Sequence, residues 1–170
     1  QNDGRLIDQD GGNDQDYICI SIYGNKLNAI IRKNSIFSVS LLSETVVTDG
    51  IFHTFAFIRE QDSLYLYLDE VKEVATGMAT FPFINSTPTW FGCTGWAGSI
   101  QHRYSGIIDQ IKIINSAVLP QNGSYYISNE LQEDIIGLWN FNEGTGLILN
   151  DISGNGNHGT IHGNPEWVEH

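Results

Sequence analysis

Basic side chains are scarce in this chain. Eight Lys and Arg stand against 20 Asp and Glu, a formal net charge of −12. Such a surface repels phosphate backbones and anionic headgroups, so nucleic acid and anionic membranes are not expected partners. Long apolar runs are also missing: no stretch approaches the roughly 20 residues that span a bilayer, so membrane insertion is not expected either. The two cysteines, Cys19 and Cys93, are too few for a disulfide scaffold; a single disulfide between them is one reading, and two free thiols are the favoured expectation. No signal-peptide pattern is present and the chain opens on Gln1, which reads as a processed form. A single methionine against 18 glycines leaves a sequence of turns and stiff strand residues. At 170 residues with 41% apolar composition, the chain can bury the core of one domain, residues 1–170.

The apolar positions alternate with period two. Strands are expected at 17–23, 27–32, 36–41, 52–59, 64–68 and 71–76, separated by turn pairs such as Gly24-Asn25, Asp49-Gly50 and Gln61-Asp62. Residues 53–69 form the clearest hairpin, because both arms alternate around a short polar connection. In the first of these strands Ile18, Ile20 and Ile22 share one face and Cys19 takes the other. Upstream, Arg5, Leu6 and Ile7 read as a short strand. It leads into residues 8–16, whose Asp, Asn and Gly content predicts a solvated loop. Later come Trp90 and Phe91, a Gly-rich loop holding Trp96, a long strand over 104–114 and a strand over 136–141. The one helix expected is short, at 128–134, capped by Ser128. Many short strands with regular turns point to an all-β fold, a two-sheet antiparallel β-sandwich or jelly roll.

Two stretches resemble the laminin-G-like jelly-roll domains of the concanavalin A-like lectin and glucanase superfamily. One runs from Leu138, Trp139, Asn140 and Phe141 through Asn142, Glu143 and Gly144 to Gly146, and continues over 151–160; it is similar to that family's opening signature. The other is 49–57 with 64–69, and it closes on 106–117, which resembles the family's final strand. The order is unusual, because the opening signature follows the closing strand. Residues 136–168 are therefore either a permuted first strand or the start of a following module. If the chain is stable alone, 136–148 is expected to pair with the strand near 106–114. The resemblance implies a concanavalin A-like sandwich, an extracellular or cell-surface setting, and calcium at one rim.

Two acidic groups are candidate calcium ligands. Asp8, Asp10, Asn13 and Asp14 offer closely spaced oxygens, as a hard cation requires. Asp109, Asn142, Glu143 and Asp151 form the second set, although Asp151 equally suits a tight-turn cap with Ser153. His158 and His162 lie in a glycine-rich turn rather than a helix, so the helical metalloprotease spacing does not apply and a zinc site is not expected there. For a sugar, Trp96 supplies an aromatic face, and Gln101, His102, Arg103 and Tyr104 supply polar groups and a second ring. Trp139 and Phe141 read as core.

Catalytic signatures are missing: no paired carboxylates at glycosidase spacing and no nucleophile elbow are evident. The reading is a non-catalytic extracellular carbohydrate-binding module, calcium-assisted, carried by a larger secreted or surface protein. Its partner is a glycan or a surface protein. Alternatives are a protein–protein adhesion or spacer module, and a degenerate glycoside hydrolase-like domain.

Overall fold

The computed structural model describes residues 4–10, 16–33, 37–77, 87–96, 99–118 and 129–168. The chain divides into two compact units, one built on residues 1–106 and the other on 107–118 with 126–170.

Five strands make the main sheet of the first unit: β1 (Arg5–Asp10), β2 (Tyr17–Tyr23), β3 (Lys26–Lys33), β4 (Phe37–Val46) and, later in the chain, β8 (Trp90–Phe91). They pair antiparallel in the order β4-β3-β2-β1-β8. A second sheet joins β5 (Phe55–Glu60), β6 (Ser63–Leu68) and β7 (Val71–Thr76), and β9 (Thr94–Trp96) pairs with β10 (Ser99–Gln101). Alternation sets the faces. Ile20, Leu27, Ala29, Ile31 and Leu41 are buried on one side of the main sheet, while Leu64, Leu66 and Leu68 are buried on one face of β6. The two sheets meet where β4 lies against β6 and β7. Glu73 reinforces that junction by accepting from the backbone N–H groups of Glu44 and Thr45 at 2.6 and 3.0 Å. The unit is an antiparallel β-sandwich.

Turn chemistry fixes the register. Gly24 and Asn25 both take left-handed backbone (φ 57° and 68°), the conformation that lets two residues close a hairpin between right-twisted strands. At Lys26–Asn28 the β3–β4 register shifts. The Leu27 N–H there donates to the buried Ser43 hydroxyl at 3.0 Å.

In the second unit β11 (Ile111–Ile114) pairs antiparallel with β12 (Ile135–Trp139), and β13 (Ile148–Leu149) with β14 (Gly159–Thr160). The expected pairing of the C-terminal motif with the strand near 106–114 is present as Ile111 opposite Trp139 and Ile113 opposite Gly137. Gly137 is required: the Trp139 ring occupies the space a Cβ would need.

Several expectations need correction. Residues 8–16 are not simply a solvated loop. β1 runs to Asp10, and Asp8 and Asp16 are buried because each has a cationic partner. The long strand expected over 104–114 is regular only at Ile111–Ile114. The Gly-rich segment around Trp96 contributes the β9–β10 pair. The strand expected over 136–141 ends at Trp139, since Phe141 adopts φ 51°. The short helix is a 3₁₀ helix over Asn129–Asp134; its expected cap, Ser128, lies outside the described residues.

Candidate functional site

The main sheet has a second face, which mixes polar with aromatic and aliphatic side chains. Pairing aligns Tyr17 with Arg32, Cys19 with Ile30 and Ser21 with Asn28; Asn28 in turn faces Leu42, and Ile30 faces Ser40. These side chains apart from Arg32, with Arg5, Tyr23 and His102, line a groove of about 360 Å³. Tyr23 and Leu42 are exposed at 55% and 40%, whereas Tyr17, Cys19, Ser21 and Asn28 are buried. The groove therefore combines a buried polar floor with an accessible aromatic ring and an aliphatic edge. No Asp or Glu is among its described lining residues.

Charge is organised around Tyr17. The Arg5 guanidinium lies 5.6 Å from the ring centroid and that of Arg32 lies 5.0 Å from it, both within cation–π range. Arg5 donates to Asp8 at 2.5 Å, and the Thr94 hydroxyl donates to the other oxygen of the same fully buried carboxylate. Lys33 closes an ion pair with buried Asp16 at 2.7 Å. Burial pushes the Tyr17 phenol and the Cys19 thiol up, so both stay protonated near neutral pH. Cys19 and Cys93 are both free thiols, as expected. The Ser40 hydroxyl donates to Asn28 Oδ1 at 2.7 Å.

Of the proposed sugar-contacting residues, His102 lines the groove. It adopts φ 48°, an uncommon conformation for a side chain of this size, and its carbonyl accepts from the Arg5 N–H at 3.0 Å. Gln101 and Arg103 are exposed, and the Gln101 amide donates to Ser99. Tyr104 is half-buried, with its backbone N–H on the Gly92 carbonyl and its ring in the space a Gly106 Cβ would take. Trp96 ends β9, and its side chain is outside the described set.

Among the described residues no three His, Cys, Asp or Glu side chains form a cluster suited to a metal ion. Asp8 is engaged as above. The Asp10 side chain and all of Asn13 and Asp14 lie outside the described residues. Asp109 and Asn142 are exposed, and Glu143 Oε1 accepts from the Asn150 backbone and amide.

Asp151 is a structural hub. Its buried carboxylate accepts from the N–H groups of Leu138 (3.0 Å), Ser153 (2.9 Å) and Asn157 (2.9 Å). Burial alone would raise its pKa, but those donors outweigh burial and hold it well below the usual carboxylate range. Asn155 and Asn157 donate back to the carbonyls of Ile135 and Ile136, and the Trp139 indole N–H reaches the Asn157 carbonyl at 3.1 Å. The glycine- and asparagine-rich signature is thus a loop laced onto β12.

A third polar cluster joins two loops of the first unit. His53 Nδ1 lies 2.7 Å from Asp69 and Nε2 lies 3.0 Å from Asp49. The hydrogen bond to Asp69 raises the imidazole pKa, burial opposes it, and Asp49 adds to the rise.

A model of the laminin G domain matches residues 1–116. The chain belongs to the laminin G domain family. It is a β-sandwich module of the extracellular type, and no helix among its described residues is long and apolar enough to cross a membrane. Among solved structures, it is similar to residues 221–444 of an S-layer domain-containing protein from Clostridium thermocellum. That match has 17% identity, a TM-score of 0.37, and coverage of 69% of this chain and 59% of the other. So remote a likeness adds nothing about function. No curated protein matches.

The groove of this laminin G domain escaped the sequence reading, although a signal for it was present. A two-residue turn at Gly24-Asn25 pairs Tyr23 with Lys26. Counting outward from it then aligns Ser21 with Asn28 and Tyr17 with Arg32, and brings Asp16 level with Lys33.

Proposed function

We propose that this laminin G domain is a non-catalytic, extracellular glycan-binding module whose ligand lies in the groove on the polar face of the main sheet. The observation that carries the reading is the lining itself. The exposed Tyr23 ring can stack on the C–H face of a pyranose, and Asn28, Ser21, Ser40 and Arg5 supply polar groups for its hydroxyls. The absence of Asp and Glu among the described lining residues favours holding a sugar over hydrolysing one, since glycosidases work with a carboxylate pair. The β12 pairing supports a place for the C-terminal signature beside the family's closing strand, in the position of a permuted first strand.

A glycan array probed with the full chain, with and without chelator, tests the reading. Glycan binding that is lost in Tyr23→Ala is expected. Binding that disappears with chelator would assign calcium a part. Absence of binding to every glycan under both conditions would refute the reading and favour a protein–protein adhesion module.

A further inference from the structure

The loop laced onto β12 carries an Asn-Gly pair. Among the described asparagines, Asn155 is the one followed by glycine. Its amide donates to the Ile135 carbonyl at 2.6 Å and to that of Ile136 at 3.3 Å, so its N–H groups tie the loop to the strand. Asn155 and Gly156 are both exposed, and nothing lies within 4 Å of where a Gly156 Cβ would stand. The Gly156 N–H makes no hydrogen bond among the described residues. Neighbouring asparagines are placed differently. Asn150 is followed by Asp151, whose N–H donates to His158; Asn157 is followed by the bulky His158; Asn164 is followed by Pro165, which has no N–H. An uncrowded, unengaged backbone nitrogen beside an asparagine side chain is what attack on that side chain's carbonyl carbon requires.

From this arrangement we infer that Asn155 is a deamidation site whose conversion releases the signature loop from β12. The Gly156 nitrogen gives its proton to hydroxide and attacks Asn155 Cγ. The new N–C bond closes a succinimide ring and the Cγ–Nδ2 bond breaks. The leaving nitrogen takes a proton from water and departs as ammonia, which returns the hydroxide. Water then opens the ring at one carbonyl to give aspartate, or at the other to give isoaspartate; nothing is oxidised or reduced. Either product removes what held the loop. A carboxylate has no N–H to give and sets a negative charge against two carbonyl oxygens. Isoaspartate also adds one carbon to the main chain between residues 155 and 156. That addition falls between Ser153 and Asn157, whose N–H groups grip the two oxygens of the Asp151 carboxylate at 2.9 Å each. The latch sets the pace: the Asn155 amide must first leave β12, and strands of four and five residues open at little cost. The second unit thus carries a slow, one-way release that does not depend on the glycan site.

The test is peptide mapping by mass spectrometry of the full chain aged at neutral and at mildly alkaline pH, with isoaspartate counted by enzymatic methylation. Conversion at Asn155, faster at the alkaline pH, with Asn150 and Asn157 intact, is the expected result. Gly156→Ala should slow it several-fold, because the methyl group crowds the attacking nitrogen. Alanine at φ 76° also strains and loosens the loop, so slowing there reports the chemistry rather than exposure. Hydrogen exchange then reads the release. The aged chain, and Asn155→Asp made directly, should exchange the amides of 135–139 about ten-fold faster, the worth of the lost hydrogen bonds, with β2 and β3 unchanged. Asn155 still intact when Asn122, which also precedes a glycine, has converted overturns the inference. So does a chain in which neither converts. Conversion at Asn155 without faster exchange at 135–139 overturns the release.

Discussion

The two units hold their strands by different means. In the first, β2, β3 and β4 are seven, eight and ten residues long, so backbone ladders and a continuous apolar face do most of the work. In the second, β11 and β12 have four and five residues, and β13 and β14 have two each. Ladders that short hold little, and side chains bonded into the backbone take over: Asp151 receives three N–H groups, while Asn155 and Asn157 donate to β12 carbonyls. The comparison teaches where function can reside. A carboxylate engaged by three donors is scaffold, whereas the long sheet of the first unit can leave a polar face open, because its opposite face carries the core.

Substitutions at the core of each unit should separate the two modes. Leu66 is fully buried, so Leu66→Ala is expected to destabilise the first unit by about 2–5 kcal/mol. Hydrogen exchange should then accelerate across β5–β7 first. Asp151→Ala leaves three backbone donors without their acceptor and should cost about 2–3 kcal/mol. Its signature is loss of exchange protection at 111–114 and 135–139, with β2 and β3 still protected. Equal loss in both units after either change would contradict the division.

Acidity sharpens the same contrast. Asp151 has a depressed pKa, so its contribution is present above the ordinary carboxylate range and fades only as pH falls well below it. The second unit should therefore keep its protection at pH 4. His53, in the first unit, has a raised pKa. Its contribution is full below about pH 6.5 and is lost as pH climbs through the higher folded value. Asp49 and Asp69 have depressed values, so their share holds above about pH 4. The clamp is strongest between those limits. His53→Ala should cost about 0.5–1 kcal/mol at pH 5.5 and progressively less above neutrality, by denaturant titration at each pH. The smallest effect is expected at Tyr23. Tyr23→Ala should shift stability by no more than about 0.5 kcal/mol, because the ring is mostly exposed, while removing glycan binding.

Much of the fold was legible in particular residues. Strands β2 and β7 have the bounds that alternation predicts, and Gln61-Asp62 closes the β5–β6 hairpin where expected. Asp8 and Asp16 are buried where their composition predicts a solvated loop. Arg5, three residues away on the same strand, and Lys33, on the neighbouring strand, neutralise them. Asp151 was legible only as an alternative between calcium and a turn cap, and three N–H donors make it a cap. The groove depends on register across β1 to β4 and on a loop residue, His102, distant in sequence. No single strand displays it, and each contributes side chains that read as an ordinary solvent face.

The most direct measurement is a backbone-resolved NMR titration of the full chain with the strongest glycan from the array. Shift changes centred on Ser21, Tyr23, Asn28 and Ser40, extending to His102, are the predicted result. Changes confined to Gln101 and Arg103, or to the Asp109 and Glu143 region, with the main-sheet residues unmoved, would contradict the groove as the ligand site.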